Sequence, residues 1–257
     1  MLLIILWLRY MFAKRQLVVA SLLVIAAAHA AVACGEPSGT EKQYEAAVEL
    51  QSQGRWQEAL IAYNEAVRLN PENAAAYYNR GLVQSSLGQT ERAIEDFRET
   101  VRLDPGHSLA LTRRGELYRT LQDYEKAARD LDRAIRLDAN NAAAYESRGL
   151  VSGAQGRHDR AKRELSAAIR LDPQSPTAYA ARGVAYINLV RLQDAVNDFD
   201  DAIRLSPENA NAHANRALVH SLLGNDDQAQ KDIDHAVELG VNEAELLERI
   251  DQAKLDG

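Results

Sequence analysis

The chain has one cysteine in 257 residues, so it holds neither an internal disulfide nor a metal site built on paired thiolates. Aromatic residues make up only 6% of it, too few for a series of platforms on which bases could stack. Positive charge is in deficit, with 30 Lys and Arg against 37 Asp and Glu and a net charge of -7. That balance argues against a phosphate backbone as ligand, so no nucleic-acid partner is expected. Also missing are Gly-x-x-x-x-Gly-Lys, His-Glu-x-x-His and Gly-x-Ser-x-Gly, and with them phosphate cradling, zinc proteolysis and the serine-nucleophile elbow. We expect no enzyme, no cofactor and no metal. The six histidines are scattered; His213 and His220, seven apart on one helix face, suit two packing positions better than a ligand pair.

What the chain has is repetition. Arg80, Arg114, Arg148, Arg182 and Arg216 stand 34 residues apart, and Gly81, Gly115, Gly149 and Gly183 follow the first four. A fixed period of this length means one supersecondary unit copied and stacked, each copy burying its apolar face on its neighbours. Six units follow, at 40–73, 74–107, 108–141, 142–175, 176–209 and 210–243. Position 20 of the unit is Ala in all six copies and position 30 is Leu in all six, while position 8 is Gly or Ala. Small residues at fixed places let two helix backbones approach closely.

Each unit reads as two helices, from apolar residues recurring at three and four. Pro71, Pro105, Pro173 and Pro207 stop the second helix. Asn73, Asn141, Ser175 and Asn209, two residues further on, are placed to cap the next one. Residues 244–257 add one more amphipathic segment, with Leu246, Leu247 and Ile250 on one side, suited to capping the apolar end of the array.

The pattern resembles the tetratricopeptide repeat (TPR): the fifth unit carries Tyr179, Gly183 and Tyr186 on its first helix and Ala195, Phe199, Ala202 and Pro207 on its second. The resemblance implies an all-α, right-handed solenoid of helix pairs whose first helices line a concave groove that holds a peptide or a partner protein. Gln122 and Val190 depart from the family by replacing the glycine between helices, and Ala139 and Val241 by replacing the proline.

Position 7, usually leucine in that family, is here the repeated arginine. Position 23 carries an acid in the same five units, whereas the first unit has Ala46 and Ala62 at these places. This matched presence and absence predicts five ion pairs within units: Arg80 with Asp96, Arg114 with Asp130, Arg148 with Glu164, Arg182 with Asp198, and Arg216 with Asp232. The other reading has the arginines gripping a carboxylate in the groove. The resemblance places the groove lining at Tyr44, Val48, Tyr78, Asn79, Leu82, Arg113, Glu116, Arg119, Leu150, Val184, Ile187 and Leu218, largely apolar with one charged band. Some of its leucines and valines are equally suited to packing between helices. Only Asn79 and Arg113 match the carboxylate clamp of TPR cochaperones; Tyr44, Val48 and Leu109 do not.

The first residues are different material. Lys14 and Arg15 precede the apolar run Leu17 to Ala28, which ends in Ala31-Val32-Ala33-Cys34. We read 1–33 as a secretory signal, too short for a comfortable membrane span, with Met11 as the expected start and 34–39 as a tether. Ala31 to Cys34 resembles the lipobox of bacterial lipoproteins, in which the cysteine is acylated; simple cleavage before a free thiol is the alternative. The expectation is thus an exported, non-catalytic scaffold of the cell envelope, held to a membrane through Cys34 and binding a protein or peptide client. The alternative is a soluble exported chaperone for one client.

Overall fold

A computed structural model describes residues 39–256. The signal, Cys34 and most of the tether lie outside the described residues. Those described are helices joined by short turns, in two compact units that divide after Pro71.

In the first unit, α1 (Gly39–Ser52) and α2 (Trp56–Leu69) form one helix pair. They meet at the fully buried Ala47 and Ala59. Tyr63, also buried, donates its hydroxyl to Gln51 Oε1 at 2.6 Å.

The second unit holds five more pairs: α3 (Ala74–Ser86) with α4 (Thr90–Leu103), α5 (Ser108–Thr120) with α6 (Tyr124–Leu137), and α7 (Ala142–Ala154) with α8 (His158–Leu171). Then come α9 (Pro176–Asn188) with α10 (Leu192–Leu205), α11 (Ala210–Leu222) with α12 (Asp226–Glu238), and finally α13 (Glu243–Asp256) alone. This unit is an all-α solenoid, in which the first helix of each pair touches its own second helix and, from α5 on, the second helix of the preceding pair.

The starts and stops have local causes. Asn73, Asn141, Ser175 and Asn209 each accept a backbone N–H from three residues on, at 3.0–3.1 Å. Ahead of the third unit, at the equivalent place two residues after Pro105, His107 Nδ1 does the same for Ala110 N at 3.2 Å. Between helices the chain turns through the left-handed region, at Gly88, Gly156 and Gly224 with φ near +72° and at Gln122 and Val190 with φ of 59° and 55°. The two substitutions keep the turn and accept its backbone strain.

Within each pair, position 8 lies against position 24. A Cβ on Gly149 would stand 2.5 Å from Leu165 Cγ, and one on Gly183 2.9 Å from the Phe199 ring. Leu131, Leu165 and Phe199 are fully buried because the facing residue has no side chain.

At the far end, α13 lies on α11 and buries Leu246 and Ile250 in the cluster that contains Ala214, Leu218 and Val219. Arg249 Nη2 donates to Asn215 Oδ1 at 3.1 Å. The segment covers the apolar end of the α11–α12 pair. Among the described residues no helix is long and apolar enough to cross a membrane.

Val190 is 80% exposed, so its side chain adds little packing, while a β-branched residue in the left-handed region costs about 1–2 kcal/mol. Val190→Gly should therefore stabilise the protein by about 0.5–1 kcal/mol after the added freedom of the unfolded chain is discounted. Urea unfolding checks this, and an unchanged midpoint would mean the turn is relaxed.

Candidate functional site

The arginines form a ladder of buried ion pairs. Arg80 donates through Nε and Nη2 to Asp96 at 2.7 and 2.7 Å, Arg114 to Asp130 at 2.6 and 2.8 Å, Arg182 to Asp198 at 2.8 and 2.7 Å, and Arg216 to Asp232 at 2.8 and 2.7 Å. Each is the two-pronged arrangement in which a guanidinium fork matches a carboxylate.

The third rung differs from the sequence expectation. Arg148 lies 3.9 Å from Glu164. It donates instead to Asp132 Oδ1 at 2.8 Å and to Ser152 Oγ at 2.8 Å, and Ser152 passes the contact on to Glu164. Glu164 takes Arg160 as its direct partner, at 2.7 Å. A longer acid reaches past the arginine, and Ser152, where all five other units have a larger residue, admits the detour.

Asp132 also exposes a second register of the ladder. It precedes Arg148 by 16 residues, as Ser166 precedes Arg182 and Asp200 precedes Arg216, and both of these accept from their arginine, at 3.0 and 2.6 Å. Each of these arginines thus ties its own pair to the one before. The signal was present at position 25 as Asp132, Ser166 and Asp200, but Arg98 breaks the series ahead of Arg114. His213 joins the last rung, with Nδ1 3.2 Å from Asp232 Oδ1 and Nε2 3.0 Å from the Pro207 carbonyl. It is buried and stacks on His235, and among the described residues no group of three ligands gathers around either.

On two rungs burial acts against the acid. An arginine keeps its proton whatever its neighbour, so the informative direction is the carboxyl's. Burial pushes Asp96 and Asp198 up from the ordinary carboxylate range, more than their arginines pull them down. At these two rungs burial, helped by neighbouring acids, works against the charged carboxyl, while the arginines are held above their ordinary value by the same pairing.

The ladder lies between helices, and the remaining candidates lie on the faces of the first helices. Tyr44, in the first unit, is half-buried against Tyr63 at 6.1 Å, and Val48 is exposed. In the second unit Tyr78 packs on Phe97 and on His107, with centroids at 5.7 and 4.6 Å, so it belongs partly to the core. Leu82 packs on the same cluster, and Asn79 is half-buried on the same helix. Ile187 packs toward the following unit. Leu218 must be withdrawn from the groove: it is buried, with Leu246 and Ile250 of α13 in the same cluster.

On α5 the charged band is assembled. Arg113 donates to Glu116 at 3.0 Å, and Glu116 accepts from Ser147 of the next unit at 3.3 Å. Arg119 keeps its Nε out of water with no acceptor in reach among the described residues. Next to this band the character changes. Between α7, α8 and α9 opens a cavity of about 450 Å³ whose walls include Leu150, Gly153, Ala154, His158, Val184 and Asn188. Its cause is legible: positions 12 and 13 are Gly153 and Ala154 here, but Arg119 and Thr120 before and Ile187 and Asn188 after. A Cβ on Gly153 would meet nothing within 4 Å. The Asn188 amide is turned back onto the Val184 carbonyl, leaving the lining mostly apolar.

These features fit one family. Models described as tetratricopeptide repeat match residues 44–108, 148–210 and 189–238, and one described as TPR repeat matches 115–156. The chain belongs to the tetratricopeptide repeat family. Among solved structures it resembles YrrB, described as a TPR protein with an unusual peptide-binding site (23% identity, 73% of this chain and 97% of that one, TM-score 0.61). It also resembles a TPR protein of Parabacteroides merdae (25%, 85% and 86%, 0.60) and PilF of Pseudomonas aeruginosa (18%, 82% and 99%, 0.72). No curated protein matches the sequence. TPR arrays are in general non-catalytic scaffolds for protein–protein interaction, and this TPR protein has the scaffold's architecture.

The ladder makes a prediction. Arg182→Ala should cost about 3 kcal/mol, because it strands a buried carboxylate. Arg182→Leu with Asp198→Ala should recover most of that loss, since an apolar pair replaces a buried ionic one at little or no cost. Denaturant midpoints of the single and double variants decide it, and a single-variant loss below about 1 kcal/mol would mark the pair as effectively solvent-exposed.

Proposed function

We propose that this TPR protein is an exported, non-catalytic adaptor of the bacterial cell envelope, lipid-anchored at Cys34, which holds a segment of a partner protein along the faces of its first helices. The observation that carries the binding part is the apolar cavity beside a polar band. A pocket lined by Leu150, Val184 and the bare backbone of Gly153 suits one bulky apolar side chain of a client. The unsatisfied Arg119 Nε offers a donor to a carbonyl or carboxylate of the same segment, and a buried donor without a partner costs free energy until a ligand supplies one.

The envelope part rests on sequence alone: the basic residues, the short apolar run and Cys34 after small residues. A second reading, a soluble exported chaperone for one client, is favoured by Ala31, because lipoboxes prefer leucine three residues before the cysteine. Stable anchoring takes more than one acyl chain, so a diacylated Cys34 would hold the protein in the membrane fraction. Cys34→Ser should release it or leave it unprocessed; equal fractionation of wild type and variant would leave the soluble reading.

Binding is tested by filling the pocket. Gly153 is helical and open on its side-chain face, so Gly153→Leu should keep or slightly raise thermal stability, since glycine is a poor helix former. It should lower crosslinking of the client in intact envelopes on the order of tenfold, the effect of losing one well-buried anchor. Unchanged capture by a folded variant would move the client off this face.

A further inference from the structure

The outward faces of the second helices carry a charge pattern that the groove does not use. At about 100° per residue, positions 22 and 29 of each unit point away from the core-facing alanine at position 20. On α6 these are Arg129 and Arg136, and on α8 Arg163 and Arg170, all four exposed. None has an ion pair or side-chain hydrogen bond among the described residues. Arginine at position 29 is common in this chain, but elsewhere an acid three residues earlier neutralises it: Glu99 holds Arg102 at 2.7 Å and Asp201 holds Arg204 at 2.8 Å. In these two adjacent units that place is taken by Arg133 and Ala167, so the partner is gone and a further arginine is added.

The opposite pattern closes the chain. Residues 176–257 hold seven Lys and Arg against fifteen Asp and Glu, a net of -8, whereas residues 108–175 hold thirteen against ten, a net of +3. Asp226, Asp227, Asp234 and Glu238 on α12 and Glu243, Glu245, Glu248 and Asp251 on α13 are exposed. None of them is in an ion pair among the described residues.

We propose that the four unpaired arginines on α6 and α8 are a docking surface for the acidic α12–α13 end of a second copy of this chain. A flat anionic surface such as a membrane fits the patch less well, because exposed carboxylates stand beside it: Glu91 and Glu95 on α4, interleaved with Arg92 and Arg98, and Asp200 on α10, held by Arg216. A plane covering the arginines would press against those carboxylates, whereas a protruding helix end meets the arginines alone. Guanidinium forks pair with carboxylates in a defined geometry, which sets a register between copies. The two surfaces differ, so the contact is head-to-tail, and unless its rotation closes a ring it adds copies without limit. The first-helix face stays free, so assembly would array client sites.

Sedimentation of the purified full chain tests this with two charge-swapped variants. One carries Arg129→Glu, Arg136→Glu, Arg163→Glu and Arg170→Glu; the other Asp234→Lys, Glu238→Lys, Glu245→Lys and Glu248→Lys. Wild type should grow in mass with concentration at about 0.01 M salt and return to monomer at about 1 M, where charge is screened within a few ångströms. Each variant alone should associate at least tenfold more weakly, and an equimolar mixture should recover association. Should the glutamate set unfold by circular dichroism, Arg129→Gln with Arg163→Gln replaces it in the same measurement, with the same weakening expected. A wild type that stays monomeric at low salt, or a mixture of folded variants that fails to associate, overturns the proposal. So does capture of wild type by phosphatidylglycerol vesicles through these arginines without self-association.

Discussion

In four of the six units the separation of the two helices is set by an absent side chain, at Gly81, Gly115, Gly149 and Gly183, and much of the architecture follows from that distance. With glycine at position 8 the facing Leu or Phe at position 24 can sit flat on the backbone, where a Cβ on Gly149 would come within 2.5 Å of Leu165. Close backbones leave no room for two layers of side chains, so the invariant alanines at position 20 complete the contact and are almost wholly buried. Helices held this near also bring positions 7 and 23 within reach of each other, directly on four rungs and through Ser152 on the third. An arginine there cannot reach bulk water freely and must find its acid. The ladder follows from this close approach, with glycine at position 8 on four rungs and Ala217 on the last, and a change that opened one pair would strand the charges of that rung.

That dependence explains why an ionic ladder persists where leucine would pack. Burial works against the carboxyls of Asp96 and Asp198, so net stability is a poor reason for the pairs. Specificity is a better one. Leucine packs in many registers, whereas a guanidinium that binds forward to position 23 and back to position 25 of the preceding unit is satisfied in one. Arg182 and Arg216 do both, and Arg148 does so with a serine inserted. In a solenoid each interface is a nearest-neighbour term, so a register error in one joint is not corrected by distant contacts.

The repeat and its helices were legible because periodicity is a one-dimensional property: a 34-residue spacing needs no coordinates. The partners of Arg80, Arg114, Arg182 and Arg216 were legible for the same reason, through acids at a constant offset. Where the offset met a different side-chain length, as at Glu164, spacing could not say whether the head groups would touch. Position 25 was missed because Arg98 interrupts it and serine does not read as a partner for arginine. Leu218 was misplaced because the groove was assigned by position, and position does not record that α13 covers the last unit. The cavity at α7–α9 was present in the sequence as Gly153-Ala154, but a pocket is a statement about what neighbours fail to fill, which requires their placement.

Together these features separate two tasks that share one scaffold. The residues that fix the pair geometry lie between helices, at positions 7, 8, 20, 23 and 24, and of these only Gly149, Ala161 and Leu165 also reach the wall of the cavity. The first-helix faces are consequently free to vary from unit to unit, and they do: polar on α5 with Arg113, Glu116 and Arg119, hollow at Gly153, and sealed at Leu218 by α13. A client that reads this face must match a sequence of different surfaces in order, which supplies direction as well as affinity. The sealing of the last unit then has a functional meaning beyond solubility. By covering Leu218, α13 withdraws that position from the first-helix face, whereas the hollow between α7 and α9, two helices earlier, is left open.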